Sequence, residues 1–155
     1  EDGIRDRSPS RGLGDVYKRQ DVSRAAAAIA VMSYLAGRPG EVAGSSEIAE
    51  ARKISHALTA KLLTQLSAAG LVRGQPGPGG GYQLAKDPAE INLLGIVSLF
   101  EQTEAPSLCP FGQGWCGNGD PCPLHESLLS LQERSRAFLE NTRLSVFVPK
   151  LVEVE

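Results

Sequence analysis

The chain has 155 residues, 41% of them hydrophobic and only 5% aromatic, with a formal net charge of −2. That describes one small domain, or a small domain with an appendage, able to bury a modest core. Its three cysteines are odd in number and confined to one stretch, which argues against a disulfide framework and fits a reducing cytoplasm; no apolar run approaches the roughly 18 residues of a membrane span, so no membrane partner is expected.

The charge is unevenly placed, with a balance of +3 over residues 21 to 86 and −6 over residues 87 to 155. A basic half and an acidic half suggest separate tasks. Residues 1 to 20 are polar and lack a hydrophobic period, and their last part, Asp15 to Gln20 (DVYKRQ), looks like a translated sequencing adapter. They are expected to be a non-native or disordered extension. Their five basic residues are nearly balanced by four acidic ones, which weakens a reading of this stretch as a DNA-gripping arm.

Lys18, Arg19 and Arg24 before the apolar segment Ala25 to Ala36 imitate a signal peptide, but the segment is mostly Ala, with Ile29, Met32 and Leu35 at helical spacing. It reads as the first core helix. Gly37-Arg38-Pro39-Gly40 is a turn, and Ser45 or Ser46 is placed to cap a short helix reaching about Arg52. Ser55 is placed to cap the next helix, whose Leu58, Leu62, Leu66 and Ala69 recur until Gly70 ends it. Two short strands, Leu71-Val72-Arg73 and Tyr82-Gln83-Leu84, then flank the Gly- and Pro-rich run from Gln75 to Gly81.

A helix, a two-helix turn and a hairpin in that order describe a winged helix-turn-helix over residues 21 to 86, in a mainly α chain. In such a fold the second helix of the pair enters the major groove of DNA and the hairpin reaches an adjacent groove. The expected contacts are Ser55, His56, Ala57, Thr59, Ala60 and Lys61 on the helix, and Arg73, Gly79, Gly80 and Tyr82 on the wing. The glycine run lacks the trailing Lys-Ser/Thr of a phosphate-binding loop.

Residues 91 to 100 read as a linking helix within the segment 87 to 105, with Asn92 as its cap and Leu93, Ile96, Val97 and Phe100 on one side. Leu124 to about Val148 reads as a long amphipathic helix with Leu124, Leu128, Leu131, Ser135, Phe138 and Thr142 along one stripe. A helix that long has little of its own domain to pack against, so it is expected to form a homodimer, presenting two recognition helices about 34 Å apart. Residues 149 to 155 are a tail.

Between these helices lies CPFGQGWCGNGDPCPLH, from Cys109 to His125. Six residues separate Cys109 from Cys116, five separate Cys116 from Cys122, and two separate Cys122 from His125. Clustered thiolates in a Gly-rich loop over residues 106 to 123 suit a soft metal or an iron–sulfur cluster. Three Cys and one His also make a tetrahedral zinc set, although only the last gap has the length of a zinc knuckle. No cysteine pair has the two-residue spacing of a thioredoxin-type site, and no enzyme activity or small-molecule substrate is expected.

Taken together, SSEIAEARKIS, LLTQLSAAGLV, the wing GPGGGYQL, the INLLGIV helix and the three-cysteine loop resemble the Rrf-two family of bacterial transcription regulators, over residues 22 to about 148. The resemblance implies a homodimeric, cytoplasmic winged-helix regulator that binds a double-stranded DNA operator and senses redox state, nitric oxide or iron–sulfur status. It implies an iron–sulfur cluster on Cys109, Cys116 and Cys122, with 2Fe–2S expected ahead of 4Fe–4S. His125 matches the fourth ligand of the cluster-assembly branch. In the nitric-oxide-sensing branch that ligand is an aspartate near the N-terminus, for which Asp21 is the nearby candidate. Trp115 would shield the cluster from water. Two departures stand out: the first cysteine gap is one residue longer than in the cluster-assembly branch, and Pro76 occupies the position where the family's wing usually carries arginine, a change that Arg73 would partly offset.

Overall fold

A computed structural model describes residues 23–101 and 122–149. Helix α1, Arg24–Ala36, starts at Ser23, whose hydroxyl oxygen accepts from the Ala26 amide at 3.1 Å. Its alanines bury at almost no entropic cost, and Ala27, Ala28, Val31, Met32 and Ala36 are fully enclosed. Helices α2, Ser45–Arg52, and α3, His56–Ala68, pack on it as a helix-turn-helix pair. Lys53 makes the turn between them in a left-handed conformation, with φ at 54°. The expected serine cap of α2 is replaced by Gly44, which contributes no side-chain bond, because Ser45 and Ser46 already lie inside the first turn.

Ser55 caps α3 as expected, accepting from the Leu58 amide at 3.3 Å. Leu62, Leu63 and Leu66 then turn fully into the core. Strands β1, Val72–Gln75, and β2, Gly81–Leu84, pair antiparallel with Val72 opposite Leu84 and Gln75 opposite Gly81. On its other edge Tyr82 exchanges both backbone hydrogen bonds with Ala43, at 2.8 and 2.9 Å. The wing is therefore fastened to the α1–α2 connection as well as to α3.

After a 3-10 turn at Pro88–Glu90, Asn92 caps α4, Leu93–Val97, by accepting from the Gly95 amide at 2.8 Å. The linking helix is thus shorter than the ten residues its pattern suggests. Its apolar side nevertheless enters the core at Leu93, Ile96 and Val97. Among the described residues, helix α5, His125–Asn141, makes its principal contact with α4, and none of its own residues is fully buried.

The expected continuation of α5 to Val148 does not occur. Thr142 is extended, its carbonyl accepts from the Leu93 amide at 3.0 Å, and the Leu144 amide donates to Ile91 at 2.8 Å. Continuing the helix would pull Leu144, which is fully buried, out of the core. A short 3-10 turn, Leu144–Phe147, follows. One apolar cluster unites α1, α3, α4 and Leu144, giving a mainly α winged helix-turn-helix.

Candidate nucleic-acid interface and cysteine site

Helix α3 turns Ser55, His56, Ala57, Ala60, Lys61 and Thr64 to solvent. Thr59, expected on that face, is 0% exposed, and its hydroxyl donates to the Ser55 carbonyl at 3.1 Å. It lies one turn before Leu63 and shares that residue's inward direction. Thr59 therefore packs the core and cannot reach a duplex. Ser55 remains exposed, with its side-chain oxygen engaged in capping the helix.

The wing's shape depends on its glycines. Gly79 has φ of 73°, a region open to glycine and costly for other residues. A side chain on Gly80 would fall on the Gln75 carbonyl oxygen and within 2.8 Å of the Gly77 carbonyl oxygen, both backbone. This gives a thin tip, running from Gln75 to Gly81, that carries no charge. Behind the tip, Tyr82 is half-buried with its ring along Gly74. The exposed Arg73 faces Gln83 across the strands. With the Gln83 amide turned to satisfy both partners, its oxygen accepts from Arg73 Nε at 3.0 Å and Nη2 at 3.2 Å. The guanidinium is held beside the strands with donors to spare.

A polar clamp that pattern reading did not find ties α1 to α2. Tyr34 and Arg38 both donate to Glu47 Oε1 at 2.7 Å, and the Arg38 and Arg52 guanidinium groups lie over the Tyr34 ring at 4.7 and 5.5 Å. The Tyr34 hydroxyl bond holds the Glu47 carboxyl below the ordinary carboxylate range, aided by the Gly44 amide and Arg38 against some desolvation. The same bond, with desolvation, raises Tyr34. Tyr34 and Arg38 are four residues apart at the end of α1 and the turn after it, but Glu47 lies 13 and 9 residues further on in α2, so the periodicity of neither helix contains a sign of the clamp.

Of the cysteine set, Cys109 and Cys116 lie outside the described residues, as do Trp115 and Asp21. Cys122 is a free thiol, 9% exposed, just before α5. The backbone N–H of His125 donates to the Cys122 carbonyl at 2.9 Å, which closes a turn that leads from Cys122 into the first residue of α5. A sheltered thiol and an imidazole one turn apart are a donor pair suited to a soft metal or an iron–sulfur centre. Among the described residues, Cys122 and His125 are two donors of the right chemical type, and no group of three such donors comes together there.

Residues 22–150 match the family model Rrf2, described as an iron-dependent transcriptional regulator. The HTH-type transcriptional regulator IscR of Klebsiella pneumoniae is 35% identical over 103 residues, 66% of this chain and 63% of the relative. The chain thus spans under two thirds of the length of the curated relatives it matches. Among solved structures, Staphylococcus aureus CymR aligns over 83% of this chain and 97% of its own, with 24% identity and a TM-score of 0.65. CymR of B. subtilis, named the global cysteine regulator, aligns over 82% and 96% with 21% identity and a TM-score of 0.68. T. potens IscR aligns over 79% and 81% with 22% identity and a TM-score of 0.62. These structural likenesses establish the fold, and the match over residues 22–150 establishes the family: the chain belongs to the Rrf2 family of transcriptional regulators.

Proposed function

We propose that the chain is a homodimeric regulator that binds an operator in double-stranded DNA through α3 and the wing, with an affinity set by an iron–sulfur cluster on Cys109, Cys116, Cys122 and His125. The observation that carries this reading is the placement of the cysteine segment in the chain. It joins α4 to α5, and Ile96 of α4 is fully buried in the same cluster as Leu62, Leu63 and Leu66 of α3. A rearrangement that pulls on α4 therefore bears on the seat of the helix that faces DNA.

When bound, the cluster supplies a centre that responds to redox state and nitric oxide. The chain's own residues do the rest. Cys122 and His125 fix one edge of the site to the start of α5, and His56, Ala57 and Lys61 meet the groove while Arg73, Gly79, Gly80 and Tyr82 form the wing contact. A hundredfold change in operator affinity needs only about 2.7 kcal/mol of coupling, within the range that a repacked interface supplies. A 2Fe–2S cluster is favoured over 4Fe–4S, and the cytoplasm is the compartment where such thiolates stay reduced.

Anaerobic purification tests the reading. The protein is expected to be brown, with iron and acid-labile sulfide near stoichiometric to subunit, and its absorption is expected to change on titration with nitric oxide or oxygen. Colourless protein without sulfide after attempted reconstitution defeats it, and bound zinc without sulfide assigns the same residues to a structural metal site. Substituting Cys122 by Ala should abolish the absorption and change duplex affinity.

A further inference from the structure

Beside the outward face of α3 lies an open cleft of about 440 Å³ between that helix and the start of α1. Its lining includes Arg24, Leu58, Lys61, Leu62, Thr64 and Gln65. Lys61 and Thr64 belong both to this cleft and to the solvent-facing row of α3, so the two surfaces are continuous. Neither Arg24 nor Lys61 has an ion-pair partner among the described residues, and α1 and α3 together contain no Asp or Glu. Two cations are thus left facing one recess with no carboxylate on either wall.

We infer that this cleft seats a backbone phosphodiester of the bound duplex, with Arg24 and Lys61 as its paired cations. The inference rests on the DNA-binding reading above and adds Arg24, a residue outside both the helix-turn-helix pair and the wing, to the interface. Arg24 is the first residue of α1, and the cap from Ser23 to Ala26 fixes the backbone from which its side chain extends. Its guanidinium can give two parallel N–H bonds to phosphate oxygens, while Lys61 adds a point charge. The Gln65 amide offers a further donor. Thr64 does not, because its hydroxyl proton is committed to the Ala60 carbonyl at 2.9 Å. The apolar wall at Leu58 and Leu62 suits the sugar edge that flanks each phosphate. A duplex lying along His56, Ala57, Ala60 and Lys61 brings one strand over this recess. Phosphate contacts of this kind position the protein on DNA without reading its sequence.

The test uses the full chain and a fluorescein-labelled mixed-sequence duplex of about 30 base pairs, titrated from about 50 to about 200 mM potassium chloride. Arg24→Ala and Lys61→Ala should each weaken binding and lower the slope of log affinity against log salt by about one, and the double variant by about two. Arg24→Lys should restore most of the slope, which a merely structural role would not predict. Arg24 is exposed, so helical circular dichroism should be unchanged in all variants. A wild-type slope in Arg24→Ala with a reduced slope in Lys61→Ala overturns the cleft and leaves DNA binding standing. Absence of duplex binding by the wild-type chain overturns both. Inorganic phosphate at matched ionic strength should not compete; competition that disappears in Arg24→Ala assigns the cleft to a free anion and overturns the inference.

Discussion

Thr59 and Lys61 lie two residues apart on α3, and two residues turn a helix by about 200°, so when one faces solvent the other faces the core. Lys61 is exposed and Thr59 is enclosed, with its hydroxyl bonded one turn back to Ser55. The Ser55 carbonyl also accepts the Thr59 amide at 3.0 Å, so it keeps a partner when the hydroxyl is removed. Thr59→Val should therefore cost no more than about 1 kcal/mol, read as a small shift in denaturant midpoint, and leave duplex affinity unchanged. A loss of affinity at unchanged stability would return Thr59 to the interface. At Arg73 the chemistry differs from that of a bare surface cation. Gln83 limits the guanidinium's freedom, and a donor already aligned loses less entropy when it meets phosphate or a base edge.

At the scale of elements, the pair α1 and α2 is joined by apolar packing and by the Tyr34–Arg38–Glu47 clamp. Glu47 sits in the first turn of α2, where a carboxylate also favours the helix dipole. Its folded pKa lies below its unfolded value, so the clamp's stabilisation is full above the unfolded carboxylate value, about 4.3, and is lost as pH falls through the folded one. Tyr34 has the opposite sign: raised in the folded state, it contributes below the ordinary tyrosine range and loses that contribution only in alkali. Glu47→Gln should lower the melting temperature at neutral pH, and the gap from wild type should close as the solution is taken to about pH 3. A gap independent of pH would show that charge on Glu47 does not matter. The elements themselves were legible in the sequence because their signals are local. Ser55 and Asn92 announce two caps, Leu62 and Leu66 mark an inward stripe, and the glycine run marks the wing. The clamp depends on partners in separate elements, and the bridge from Ala43 to Tyr82 and the end of α5 on partners far along the chain, none of which a local period encodes. Residues 142 to 148 keep an apolar pattern compatible with a longer α5, but Leu144 gains more by filling the core in the same cluster as Ile91 and Ile96 than by extending a solvated turn. For the cysteine segment, the residue types and their spacing are in the sequence, whereas the burial of Cys122 and the backbone turn that joins it to His125 appear only in the fold.

For the molecule as a whole, α5 poses the remaining problem in packing. A helix of 17 residues, about 25 Å long, touches the described part of its own chain mainly through α4 and leaves Leu131 at 63% and Phe138 at 62% exposed two turns apart, with Leu124 just before the helix on the same seven-residue spacing. The positions 124, 131 and 138 are seven apart, the spacing at which helices pack against one another in a shallow left-handed crossing. The proposed homodimer would use this stripe in both copies, so each side chain counts twice by symmetry. Burying a Leu or Phe contributes about 1.5–3 kcal/mol, so two such residues from each copy supply much of what a stable association needs. Leu131→Glu and Phe138→Glu place a charge in that seam, where desolvation without a partner opposes association. Both residues are exposed in the single chain, so each variant should fold with unchanged circular dichroism yet sediment as a monomer at concentrations where the wild type is dimeric. Duplex affinity should fall with dimerisation, because one recognition helix then engages one half-site in place of two about 34 Å apart. Glu133→Ala on the same helix serves as a control and should remain dimeric. Persistence of the dimer in both charged variants would remove this stripe as the interface and require the two recognition helices to be related through another surface.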